Sequence, residues 1–112
     1  MKMKYLFEDK TIHFGDKRVV FDEKIEDIVE FENCIAVLTA YSDENPVNNL
    51  DMLDYNGNRI WKIGDIDDFL ASQTIVSAWK KDDLNMSVIT FMGVNFLIDV
   101  RYRKITEKKI TK

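Results

Sequence analysis

With 112 residues, of which 46% are apolar and 12% aromatic, the chain is the size of one ordinary domain, too apolar to remain disordered. Its one cysteine, Cys34, excludes an intramolecular disulfide. The net charge of −4 is unevenly spread: residues 21–32 hold six acids against Lys24, residues 43–68 hold seven against Arg59 and Lys62, and residues 101–112 hold six bases against Glu107.

Taken in chain order, the sequence alternates apolar and polar residues with almost no helical periodicity. Met3, Tyr5 and Phe7 alternate with Lys2 and Lys4, and Ile12 and Phe14 flank His13, so both stretches predict strands. Gly15-Asp16 then separates Ile12-His-Phe14 from Arg18-Val-Val-Phe21 at the spacing of a tight hairpin. Ile25 to Phe31 predicts a strand with Val29 and Phe31 on one side and Glu30 and Glu32 on the other. Ile35-Ala-Val-Leu38 is apolar at both parities, the mark of a central strand covered on both faces.

Residues 41 to 49 hold the only proline, Pro46, among Ser, Asp, Glu and Asn, and read as an exposed loop of the kind in which binding residues concentrate. Leu50 to Ile63 is the strongest local signal. Asn56-Gly57 lies between two alternating segments as a hairpin turn whose two residues tolerate left-handed backbone, and Asp54 at its entrance is placed to accept hydrogen bonds from turn amides. Residues 65 to 72 are the one helix candidate, with Asp65 as N-cap and Ile66, Phe69 and Leu70 at helical spacing. Strand patterning resumes over Thr74 to Trp79, Met86 to Met92 and Val94 to Val100, and in the last of these Val94, Phe96, Ile98 and Val100 share a face.

The two halves repeat one order of events. Ile28 to Phe31, Ile35 to Leu38 and Leu50 to Asp54 correspond to Val76 to Trp79, Met86 to Ile89 and Asn95 to Asp99, and Asp54 and Asp99 stand 45 positions apart. Leu53-Asp-Tyr-Asn-Gly-Asn-Arg-Ile-Trp61 resembles the strand-turn-strand of quinoprotein-type propeller blades. The order of elements from Ile25 to Ile110 resembles small bacterial proteins with two such units, among them immunity proteins of polymorphic and contact-dependent toxin systems. The second unit departs from that pattern, with Tyr102-Arg-Lys where a turn glycine is expected, which speaks against a tight hairpin there. Two blades cannot close a propeller. The expectation is therefore a single all-β, antiparallel domain over residues 1–112. Its blade-like units, about 25–63 and 74–110, pack as a sandwich, half-open barrel or bent sheet, with at most one short helix near 65–72. Cys34, Ile35, Val37, Trp61, Trp79, Ile89, Phe96 and Ile98 are predicted to be buried, and Phe91 likewise reads as core.

Catalytic chemistry finds little to work with. A Ser-His-Asp or Cys-His arrangement must use His13, the sole histidine, which reads as an exposed strand residue. One Cys and one His exclude the usual zinc sites, Asp65, Asp67 and Asp68 lack the calcium-loop spacing, and none of the four glycines precedes a Lys-Ser/Thr pair as a phosphate loop requires. No catalytic residue, metal ligand or cofactor is expected. The acidic balance disfavours nucleic acid as a partner. The positive start has an apolar stretch of only Tyr5 to Phe7, and no run approaches the ~20 apolar residues of a membrane span, so a cytoplasmic location without membrane contact is expected.

What the resemblance implies is a toxin-neutralising immunity protein that binds a cognate toxin domain, a basic nuclease being one fit. The alternatives are a non-catalytic interaction or scaffold domain and, behind it, a small ligand-binding protein or hydrolase. The charge places the expected partner surface on Glu30, Glu32, Asp43, Glu44, Asp51, Asp65, Asp67 and Asp68. Oligomeric state is not legible in the sequence.

Overall fold

The computed structural model describes residues 5–110. Among them, eleven strands form three antiparallel sheets, each built from strands consecutive in the chain. The first sheet holds β1 (Leu6–Glu8), β2 (Thr11–Phe14) and β3 (Lys17–Val20). The second holds β4 (Ile25–Glu30), β5 (Cys34–Thr39), β6 (Leu50–Asp54) and β7 (Arg59–Lys62). The third holds β8 (Ile75–Asp82), β9 (Asn85–Thr90), β10 (Val94–Asp99) and β11 (Lys104–Ile110). The alternation expected at Met3 lies outside the described residues.

The sheets stack face to face, with the second in the middle, and this is why β5 is apolar at both parities. Ile35 and Val37 face the first sheet in a core with Ile12, Phe14, Val19, Phe21 and Leu53. Cys34, Ala36 and Leu38 face the third sheet in a larger core with Met52, Trp61, Met86, Val88, Phe96 and Ile98. The mostly antiparallel β-fold is as expected; behind its two four-stranded sheets, which span residues 25–62 and 75–110, the three N-terminal strands add a third layer. The third sheet approaches the second most closely through β8, against β4 and β5.

Two irregularities set which side chains reach the cores. In β4, Ile25 pairs with Thr39 and Asp27 with Leu38, so Glu26 is the extra residue of a bulge. In β8, Ile75 pairs with Thr90 and Ser77 with Ile89, so Val76 is extra. A bulge shifts strand parity by one. Without it Ile75, Ser77 and Trp79 would share a face; with it Ala78 joins Ile75 in the core, and Trp79, expected to be buried, stands 42% exposed opposite Ser87. Ile89 is only half-buried, because Met86 and Val88 take the inward positions of β9 and leave it on the outer face beside Ser77 and Asn95. Cys34, Ile35, Val37, Trp61, Phe96 and Ile98 are buried as expected. Phe91 and Met92 are not strand residues: they form the β9–β10 turn and stand 67% and 73% exposed.

The turns follow aspartate chemistry. Asp54 Oδ1 accepts from the amides of Asn56 and Asn58, each at 2.9 Å, and in this turn only Gly57 takes a positive φ, of 85°. A Cβ on Gly57 would come within 3.2 Å of the Phe14 ring, so this turn packs on the first sheet. In the second unit Asp99 Oδ1 accepts from Arg101 and Tyr102 amides at 2.9 Å, and Arg103 adopts φ 59° where a glycine was expected. A four-residue turn forms there despite the missing glycine, because the carboxylate organises it and the local cost of one left-handed residue, about 1–2 kcal/mol, is absorbed by the strand pairing that follows.

The helix region also differs in detail. A 3-10 turn over Ile63–Asp65 precedes the single helical turn α1 (Asp68–Ala71). Asp67, not Asp65, caps α1, accepting from Phe69 and Leu70 amides, while Asp65 accepts from the Lys62 amide at 2.8 Å. No helix among the described residues is long and apolar enough to cross a membrane.

Candidate partner-binding end

Strand registers give the second and third sheets two common ends. At one, the β4–β5 turn meets the β6–β7 turn, since Glu30 pairs with Ile35 and Cys34 with Asp54. At the other lie the starts of β4 and β8, the loop 40–49, the 63–74 connection and the β9–β10 turn; Phe91 N donates to Thr74 O there at 2.8 Å.

The eight acids expected to form one surface divide between these ends. Glu30 and Glu32 lie at the first, both exposed, and Glu30 accepts from the Tyr5 hydroxyl at 2.6 Å. Burial, followed by that hydrogen bond, pushes the Tyr5 hydroxyl well above its ordinary pKa. Asp43, Glu44, Asp65, Asp67 and Asp68 gather at the second end, and all but the half-buried Asp67 are exposed. Asp51 leaves the surface altogether. It is 5% exposed, with Arg59 Nη1 at 2.9 Å and Lys62 Nζ at 2.5 Å, and the Arg59 guanidinium also lies over the Phe21 ring and donates to Val20 O. A strand carboxylate with two cations on the neighbouring strand is a structural pair, which the charge count along the chain does not reveal.

The second end is tied together through backbone and side-chain hydrogen bonds. Asn49, 5% exposed, donates Nδ2 to Thr39 O at 2.7 Å and to Ile75 O at 2.9 Å, and its Oδ1 accepts from Ile75 N at 2.8 Å. One amide thereby joins the end of β5 to the start of β8. Asn48 donates its backbone N–H to Gln73 O and accepts from Gly64 N at 2.8 Å, and the Thr74 hydroxyl donates to Pro46 O. Glu23 Oε2 accepts from Asn45 Nδ2 at 2.9 Å and Ser42 Oγ at 2.8 Å, and these hydrogen bonds hold its carboxyl below the usual range. The loop that carries Asp43 and Glu44 is therefore anchored at both flanks.

Between the starts of β4 and β8 runs a groove of about 540 Å³ lined by Glu26, Leu38, Thr39, Ala40, Tyr41, Ile75 and Val76. Its two bulge residues, Glu26 and Val76, are exposed, as is Tyr41. Further exposed apolar side chains at this end are Val47, Phe69, Phe91, Met92 and Ile110. Exposed apolar side chains and acids thus share this end. Sequence reasoning missed Glu23, Glu26, Tyr41 and Val76 as members, because the bulges that aim two of them carry no glycine or proline to announce them.

His13 is exposed on the outer face of the first sheet, opposite Arg18, whereas Cys34 faces the third sheet. The middle sheet separates them. Burial pushes the Cys34 thiol up, away from nucleophile behaviour. Among the described residues no group of three or more His, Cys, Asp or Glu side chains is arranged to hold a metal ion.

The family model of DUF7957, a domain of unknown function, matches residues 2–110, and the chain belongs to that family. No curated protein and no solved structure matches it.

Proposed function

We propose that the protein is a cytoplasmic immunity protein that neutralises a cognate bacterial toxin domain by binding it, with the end carrying Asp43, Glu44, Asp65, Asp67 and Asp68 as its contact surface. The observation that carries this reading is the anchored acidic loop at the same end as exposed Tyr41, Val76, Phe91 and Met92. Protein interfaces combine apolar and charged side chains, and an anchored loop loses little entropy when it binds. The acids favour a basic partner, such as the nucleic-acid-binding face of a nuclease, and steer its approach. Glu30 and Glu32 lie about a strand length, ~20 Å, away at the opposite end and belong to no single contact with the others.

The test is co-expression with the product of the adjacent gene. A purified complex together with rescue of growth supports the immunity reading. A complex without rescue replaces it with a scaffold role, and neither complex nor rescue removes it.

A further inference from the structure

The groove between the two bulges has a more specific chemistry than the end as a whole. Leu38 and Ile75 lie buried beneath it, Thr39 and Ala40 line it half-buried, and Val76 and Tyr41 are its exposed apolar members. Glu26 is the one charged residue that lines it, and no cation among the described residues pairs with Glu26. The Asn49 amide fixes Thr39 against Ile75 and so holds the groove open to a set width.

We infer that this groove receives an arginine side chain from the protein partner, an inference that rests on the protein-binding reading above. A side chain that is apolar along its stem and cationic at its tip matches a groove that offers Val76 and Tyr41 beside a single carboxylate. Arginine fits better than lysine: its planar, weakly hydrated guanidinium stacks on a tyrosine face while it meets a carboxylate with two parallel N–H donors, whereas an ammonium remains strongly hydrated. The bulges supply the placement. Each turns its extra residue out of the regular alternation, so that an acid from one sheet and an aliphatic side chain from the other face a common space.

The test uses the full chain labelled with 15N and three probes, Ac-Gly-Arg-Gly-NH2 and its lysine and norleucine counterparts, titrated at low salt. The arginine peptide is expected to shift the amides of residues 25–27, 39–41 and 75–77, with lysine weaker by about threefold and norleucine weaker by about tenfold. Glu26→Gln removes most of this preference, while Glu32→Gln, an exposed acid at the opposite end, leaves it in place. Equal binding of the arginine and norleucine peptides, or arginine shifts that survive Glu26→Gln, overturns the assignment. Because no toxin is needed, failure here removes the arginine site and leaves the immunity reading to the co-expression result, and a positive titration stands even where co-expression gives no complex.

Discussion

Glu26 and Val76 are counterparts: each is the extra residue of a bulge one position into the first strand of its four-stranded sheet, directly after a buried isoleucine, Ile25 or Ile75. The bulges do two jobs at once. They turn the strand by one residue, so that Ile25 packs on the first sheet and Val29 on the third, and Ala78 rather than Ser77 enters the core. They also bring an acid and an aliphatic side chain to the two walls of one groove. The same local irregularity that closes the core thus shapes the proposed contact surface.

Asn49 is predicted to be the most sensitive polar residue at that end. Asn49→Ala leaves Thr39 O and both backbone groups of Ile75 without the side-chain partners they have, and a buried polar group left unpaired costs about 1–3 kcal/mol. The expected loss is about 2–4 kcal/mol in urea unfolding, with faster amide exchange at Thr39 and Ile75. A change below ~0.5 kcal/mol would show that the junction of β5 and β8 is held by other contacts.

Aromatic residues at similar strand spacing are predicted to differ sharply. Phe96, 1% exposed, fills the larger core, and Phe96→Ala is expected to cost about 3–5 kcal/mol. Trp79 lies on the outer face of the third sheet, so Trp79→Ala is expected to cost under ~1.5 kcal/mol despite removing the larger side chain. Denaturant midpoints of the two variants check the ranking.

Much of this was legible in the sequence, and the limit falls at parity. The strands, the Gly15 and Gly57 turns, the doubly covered β5 and the exposed loop follow from alternation and turn chemistry, which act over a few residues. Trp79 was misplaced because a bulge reverses the inward side without changing composition, and Ile89 because neighbouring Val88 is equally apolar and it is Val88, with Met86, that faces the core. Arg103 shows the converse: Asp99 builds a turn that the absent glycine seemed to forbid. For the site, the sequence named the acids but not their grouping. Strand register sends Glu30 and Glu32 to one end and the loop acids to the other, and Asp51 is removed from the surface by Arg59 and Lys62, eight and eleven residues away.

Acid should weaken the fold through its turn aspartates. The Tyr102 backbone N–H, with smaller help from Arg101, holds the Asp99 carboxyl below its ordinary range, and the Leu84 N–H with the Asn85 amide does the same for Asp82. At Asp54 burial acts to raise the value, but hydrogen bonds from Asn58 and Asn56 outweigh it. A carboxyl lowered in the folded state stabilises it fully above the unfolded pKa, near 4, and loses that contribution as pH falls through the folded value. Stability should therefore be level from about pH 7 to 5 and decline below about pH 4, and Asp99→Asn should make the decline shallower. Urea midpoints between pH 7 and 3 read the slope; an unchanged slope would mean that other groups carry the acid sensitivity.

The acidic end is best tested by charge reversals that leave the turns alone. Asp67 caps α1 and Asp65 receives the Lys62 amide, so Asp65→Lys and Asp67→Lys should each destabilise the fold by about 1 kcal/mol, which would confuse a loss of binding with a loss of structure. Asp43, Glu44 and Asp68 are exposed and accept no side-chain cap, so the triple reversal Asp43→Lys, Glu44→Lys, Asp68→Lys should leave the urea midpoint within ~0.5 kcal/mol of the parent. With a partner in hand, it should slow association by about tenfold at low salt and flatten the salt dependence, while dissociation changes less, because rim charges act on the encounter. Glu30→Lys with Glu32→Lys alters the net charge by two-thirds as much at the opposite end, and is expected to change association by less than about threefold. Stopped-flow association rates at two ionic strengths separate the cases: if the two sets slow binding alike, steering comes from net charge and not from this surface, and if Glu30 and Glu32 dominate, the contact lies at the other end of the sheets.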